Sequence, residues 1–260
     1  MLTEESPLLG QASGVYREKA VLPILRRHFL SVWQHQKPLG PARQTAVVPD
    51  ASADLIWFGG TLLVTGPDRK VSFKSVPAGT TVVGVRFQPG AVASLLGVPA
   101  SEIVGARLPL DSFWRDKGRA LIDAIGDAQE PHLVATRLEA VLASMARDLE
   151  SPDAGPKIIL ECLAHPRDDI RLTTRELTSA LGTSERTLRR HCERAFGYGP
   201  KTLARVIRIQ RFLQLARMQP VIGLANLAAA AGYADQAHLS REARRLTGLT
   251  PQAILNQVSA

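Results

Sequence analysis

Leu177-Thr178-Ser179-Ala180-Leu181-Gly182-Thr183-Ser184 is echoed 50 residues later by Leu227-Ala228-Ala229-Ala230-Ala231-Gly232-Tyr233-Ala234. Each copy is followed by a basic amphipathic stretch and then by Gly-x-x-Pro, at Gly197–Pro200 and Gly248–Pro251. A short helix, a glycine free to turn left-handed, and a second helix make a helix-turn-helix unit, so the repeat predicts two of them. Thr173 and Glu176 have capping-box spacing for the first helix. Gly182 supplies the left-handed position that ends it. Ser184 is placed to cap the next helix, whose apolar residues Leu188, Cys192, Ala195 and Phe196 recur at i, i+4, i+7 and i+8. In the second unit Asp235 is the cap, and Leu239, Ala243 and Leu246 form the stripe.

The side opposite each stripe is left for a partner. In the first unit it carries Arg186, Arg189, Arg190 and Glu193. In the second, Gln236, His238, Ser240 and Arg241 lie near the N-terminal end. Arginine pairs bidentately with guanine and glutamine with adenine, and recognition helices read bases with their first turns. The DNA-binding candidates are therefore Arg186, Arg189, Arg190, Gln236, His238, Ser240 and Arg241. Between the units, Pro200–Arg217 is long enough for a helix of about 27 Å. With the width of the units it joins, it is expected to set the two recognition helices one DNA turn, about 34 Å, apart. Arg205 and Arg208 on this linker helix are expected to contribute at most an even, sequence-independent attraction.

Charge supports a division of labour. Residues 1–156 hold 16 Lys and Arg against 16 Asp and Glu, whereas residues 157–260 hold 16 against 8. The whole formal charge of +8 sits in the second part. A basic segment joined to a neutral one is the footprint of a polyanion-binding module attached to something else. The turn-rich run from Glu150 to Lys157 marks the joint, giving an N-terminal domain over 1–150, a linker over 151–157 and a C-terminal domain over 158–260.

Ahead of the joint, short strands precede helices. Ala53–Phe58 and Thr61–Thr65 flank Gly59-Gly60, a two-residue hairpin signal. Val71–Val76 alternates and Thr80–Gln88 is rich in Val and Thr. Pro89-Gly90 opens a short helix to Leu96, and Pro131–Leu149 reads as a longer amphipathic one. The fold class expected is an α+β N-terminal domain, a small antiparallel sheet or barrel with helices, followed by an all-α domain of two helix-turn-helix units. No strand is expected after the linker. Apolar residues at 45% and charged residues at 22% are ordinary for a globular chain. Every apolar run is too short to span a membrane. The acidic start, Met1 to Ser6, lacks the apolar core of a secretory signal, and Cys162 and Cys192 are too few to imply a disulfide framework. The expected location is the cytoplasm.

Residues 158 to 256 resemble the DNA-binding domain of AraC-type transcriptional regulators. The resemblance rests on Ser184-Glu185-Arg186-Thr187-Leu188-Arg189-Arg190, on Gly197–Arg217, and on the run from Gly232 to Glu242. It implies two units held by one linker helix and entering adjacent major grooves. By position it implies base-facing roles for Arg186, Arg189 and Arg190, and for Gln236, His238 and Arg241. Where the family usually has Phe, this chain has Cys192 and Ala243. Such shrinkage of a core position costs about 2 to 5 kcal/mol unless neighbours such as Phe196 and Leu246 fill the space. Val48-Pro49-Asp50, Asp54–Trp57 and Gly84–Gly90 resemble a domain found ahead of some AraC-type regulators. That implies an effector-binding or dimerising role, often on a cupin-like barrel. The ligand-binding candidates are Asp54, Trp57 and Arg86; the structural alternative is an Asp54–Arg86 ion pair with Trp57 in the core. Double-stranded DNA is the partner implied, with a small-molecule effector, RNA polymerase and a second copy of the chain as further candidates, and no membrane.

Other chemistries find little support. His28, His35, His132, His165, His191 and His238 form no close His-x-His or His-Glu-x-x-His set, so no metal site and no cofactor is expected. Cys192 falls on an apolar stripe, where thiols are inert. No Gly-rich phosphate loop, Gly-x-Ser-x-Gly elbow or carboxylate pair points to an enzyme. The competing readings are a non-specific nucleoid-type DNA binder and a small-molecule-binding protein or enzyme with an accessory basic domain.

Overall fold

The computed structural model describes residues 7–40, 44–128, 130–164, 174–218 and 222–258. Nine strands come first: β1 (Leu8–Leu9), β2 (Val15–Ala20), β3 (Phe29–Gln36), β4 (Thr45–Val47), β5 (Asp54–Phe58), β6 (Thr61–Thr65), β7 (Ser72–Lys74), β8 (Thr81–Phe87) and β9 (Arg107–Pro109). Six of them form an antiparallel sheet in the order β2-β3-β8-β5-β6-β9. The other three form a small sheet, β1-β4-β7, in which β1 and β4 run parallel, a departure from the all-antiparallel expectation. Gly59 and Gly60, both at positive φ, turn β5 into β6 in the register the hairpin signal implies.

Alternation along the strands gives the large sheet two different faces. Val32, Leu55, Trp57, Leu62, Val64, Val83, Val85 and Phe87 point to one side and are buried. They pack with α1 (Ala91–Leu96), α2 (Asp111–Ile125) and α3 (Pro131–Met145) in one core. The opposite face turns toward the small sheet and the C-terminal domain. In β8 this face includes Gly84, where a Cβ would lie 2.3 Å from the Trp33 ring; only a bare backbone lets the indole lie flat across the strand.

The C-terminal elements are helices throughout the described residues: α4 (Gly155–Ala164), α5 (Thr174–Ala180), α6 (Glu185–Phe196), α7 (Pro200–Met218), α8 (Leu224–Ala230), α9 (Gln236–Thr247) and α10 (Pro251–Val258). The expected caps are present. Ser184 Oγ accepts from the Thr187 N–H at 3.1 Å, and Asp235 Oδ1 accepts from the His238 N–H at 2.6 Å. Gly182 and Gly232 turn each unit at φ +59° and +86°. The capping role of Thr173 lies outside the described residues, as does His165.

Helix α7 serves both units. Its first half, through Leu203 and Val206, packs with Leu177, Leu188, Cys192 and Phe196. Its second half, through Ile209, Phe212, Leu213 and Ala216, packs with Leu227, Leu239, Ala243 and Leu246. Cys192 and Ala243 are fully buried beside Phe196 and Leu246, the neighbours expected to fill the space left by the missing aromatic rings. The joint is partly helical, since α4 already begins at Gly155 and Pro156 rests on Gly90.

Candidate nucleic-acid interface and the adjoining cavity

On α6, Arg186, Arg189 and Arg190 are exposed while the stripe beneath them is buried. Arg189 Nε donates to Glu193 Oε1 at 2.8 Å, an i,i+4 pair that positions the guanidinium. Arg186 and Arg190 extend from the same side. On α9, Gln236 and Arg241 are exposed. His238 is half-buried, its ring edge-on to Tyr233 at 5.3 Å between centroids. Ser240 Oγ donates to the Gln236 carbonyl at 2.8 Å, so its hydroxyl proton is used inside the helix. Of the seven candidates, His238 and Ser240 are half-buried, and the other five are exposed and form the open polar surface.

Two arginines of the linker helix are engaged within the fold. Arg205 donates from Nε and Nη2 to the two carboxylate oxygens of Glu242, at 2.6 and 2.8 Å, tying α7 to α9. Arg208 lies over the Tyr233 ring, 5.6 Å from its centroid. Both side chains brace the second unit, so neither is simply available to phosphates. The sequence carried no local signal for this, because the partners are 37 and 25 residues away.

A cavity of about 690 Å³ lies between the large sheet, the small sheet and the C-terminal domain. The sheet contributes Tyr16, Trp33, His35, Asp54, Ile56, Phe58 and Arg86; the helical domain contributes Leu160, Ala195, Gln210, Leu213 and Arg217. Asp54 is the hub. Its Oδ1 accepts from Trp33 Nε1 at 2.8 Å and from Arg86 Nε at 3.2 Å. Arg86 Nη2 reaches Asp50 Oδ2 at 3.3 Å. Burial opposes the charge on Arg86, but the carboxylates of Asp54 and Asp50 more than offset it and hold the guanidinium protonated. Burial pushes the Asp54 carboxyl above the usual range, against the pull of Arg86. Beside them, Tyr16 donates to Glu18 at 2.8 Å and stacks on Trp33 at 6.0 Å.

Asp54 and Arg86 therefore do share a site, and they are also the ion pair of the structural alternative. Trp57 does not join them. It sits three positions from Asp54 on β5, an odd number, and alternation sends it to the helix-packed face, where it is 8% exposed. The indole at the cavity is that of Trp33. Gly84, in an otherwise Val-rich strand, was the signal that could have located it. Burial pushes the Cys192 thiol up to about 12, consistent with an inert core thiol. Among the described residues no group of three or more His, Cys, Asp and Glu is placed to hold a metal ion, and no helix is long and apolar enough to cross a membrane.

Residues 177–257 match a family model described as a helix-turn-helix domain. These residues form an AraC-type helix-turn-helix domain. The two units built on α7 are the DNA-binding, transcription-regulating elements of that domain. Residues 19–109 match a domain of unknown function (DUF6597). No curated protein matches the chain. Solved structures similar to this chain include an apo single-residue variant of ToxT from Vibrio cholerae strain SCE256, with 13% identity, coverage of 92% of this chain and 100% of that one, and a TM-score of 0.49. ToxT from Vibrio cholerae O395 gives 13% identity, 88% and 97% coverage, and a TM-score of 0.48. The same protein bound to (E)-4-(8-methylnaphthalen-1-yl)but-3-enoic acid gives 11%, 94% and 99%, and 0.49.

Proposed function

We propose that this regulator binds DNA sequence-specifically through two unlike recognition helices entering adjacent major grooves. Residues 158–260 are the reading head, residues 1–150 the regulatory domain, and 151–157 the joint between them. Arg186, Arg189 and Arg190 read one half-site; Gln236 and Arg241 read the other, with His238 and Ser240 shaping the start of α9. The observation that carries this is the pair of capped, basic helices whose apolar stripes are buried against one shared helix while their polar sides stay open. Unlike side chains on the two helices favour a non-palindromic site of roughly two turns.

The cavity supports a second element of the proposal, a small-molecule effector held against Asp54 and Arg86. Its walls come from both domains, so an occupant touches the helical domain as well as the sheet. Selection from random DNA, followed by mobility shift on the selected and a scrambled sequence at physiological salt, tests the DNA reading. A preference for the selected sequence of at least about a thousandfold is expected. Equal binding to both would favour the nucleoid-type reading, and binding to neither would remove DNA as the partner.

A further inference from the structure

Four glycines of the C-terminal domain have positive φ, and they fall into two pairs. Gly182 and Gly232 lie inside the turns, and a Cβ there would meet nothing closer than Arg208 at 3.9 Å. Gly197 and Gly248 lie just past the two recognition helices, at φ +79° and +72°, and their N–H groups close α6 and α9 on the carbonyls of Glu193 and Arg244. Both of these meet the N-terminal domain. A Cβ at Gly197 would come 2.3 Å from Val104 and 3.1 Å from Pro67; one at Gly248 would come 2.9 Å from the Phe73 ring. Arg69 Nη2 also donates to the Gly197 carbonyl at 2.6 Å. The equivalent position of each unit therefore touches one short segment, Pro67–Phe73, with Val104 and the Ala100 carbonyl adding to the contact at Gly197.

That segment is itself well anchored. The Gly105 N–H donates to the Pro67 carbonyl at 3.0 Å, and the Gly66 N–H to the Ala106 carbonyl at 3.1 Å. Ser72 Oγ closes the turn on Asp68 Oδ2 at 3.1 Å. At Gly66 no side chain fits at all, since a Cβ would lie 1.7 Å from the Ile103 carbonyl oxygen. Six residue steps span at most about 20 Å. A rigid tie of that length, fixed to both helix ends, restricts how far the two units can swing apart.

We propose that Pro67–Phe73 is a clamp that fixes the spacing between the two recognition helices, so that the N-terminal domain governs which half-site separation the protein accepts. Pro67, Asp68 and Phe73 also belong to the cavity wall, which gives an occupant of the cavity a direct route to the clamp. The inference rests on the two-groove reading above.

The test uses the full chain and the variant Arg69→Ala/Phe73→Ser, whose altered side chains are exposed and leave the cores intact. Both are titrated with the selected DNA site and with versions carrying one base pair inserted or deleted between the half-sites. For the wild type, each shift should weaken binding by about tenfold or more. In the variant, whose circular dichroism and melting should match the wild type, that penalty should shrink to about threefold or less. Hydrogen exchange without DNA supplies a second readout: exchange should quicken at Gly197 and Gly248 in the variant and stay unchanged at Gly182 and Gly232. A wild type with a clear spacing penalty and a variant that retains it would overturn the clamp alone. A wild type that binds no DNA would overturn the two-groove reading, and the clamp with it.

Discussion

Replacing Arg205 by Ala separates a brace from a phosphate contact. The side chain makes two charge-assisted hydrogen bonds to Glu242, at 2.6 and 2.8 Å, with the two side chains 26% and 13% exposed. Hydrogen bonds to charged groups contribute about 1.5 to 3 kcal/mol each in protected settings. Partial exposure here, and water that can re-solvate Glu242, bring the expected loss for the pair to about 2 to 3 kcal/mol rather than the sum. Urea unfolding of wild type, Arg205→Ala, Glu242→Ala and the double variant gives the coupling directly, and about 1 to 2 kcal/mol is expected. Arg205→Lys should recover less than half of the loss, because an ammonium cannot match both carboxylate oxygens. On DNA, the half-site read by α9 should lose discrimination while the one read by α6 keeps it. A phosphate contact behaves otherwise: stability is unchanged, binding weakens evenly across sequences, and the salt slope falls by about one. That second pattern would refute the reasoning.

Arg190→Ala, which breaks no ion pair among the described residues, should cost about 1 to 3 kcal/mol of DNA affinity and relax base preference at a single position, measured by competition with substituted sites. Gly84→Ala places a methyl group in the Trp33 ring, so a stability loss of about 1 to 3 kcal/mol is expected together with a shift in tryptophan emission, read by melting and fluorescence. Burial lowers the pKa of His28 below its ordinary value, an effect reinforced by Arg27 and only partly offset by the carbonyls of Leu149 and Glu150. The unfolded chain then takes up a proton near pH 6.5 that the folded chain resists, so this residue makes stability fall as pH drops from about 7 toward 5. The difference in urea midpoint between pH 7 and 5 should therefore be smaller in His28→Gln than in the wild type.

The helical domain was legible because its rules are local. Caps at Ser184 and Asp235, turn glycines at 182 and 232, and stripes at 3.6-residue spacing all lie within a dozen residues of what they control. The hairpin at Gly59-Gly60 was legible for the same reason. Strands β2 and β3 were not. Val15–Ala20 is an edge strand with mostly exposed side chains, so no apolar alternation marks it. Phe29–Gln36 alternates between a helix-packed face and a cavity face, and the second is furnished by Trp33 and His35, a mixture that imitates a loop. The same two-sidedness explains Trp57: its identity suits a pocket, but its parity on β5 decides otherwise. The five open residues of the candidate interface follow from helix geometry, whereas the restraint of His238 by Tyr233 and the Arg205–Glu242 tie depend on contacts between elements.

Helix α7 is a wall common to two rooms, and this governs how the C-terminal domain comes apart. Leu203 and Val206 close one core, Ile209 to Ala216 close the other, and no break in the helix separates the two sets. Fraying at either end exposes apolar surface in only one unit, but melting the middle opens both at once. The duplicated units are therefore unable to denature as independent modules despite their separate turns and caps. A chain lacking either unit would leave one half of α7 bare, and the repeat that looks additive in sequence behaves in folding as a single cooperative object.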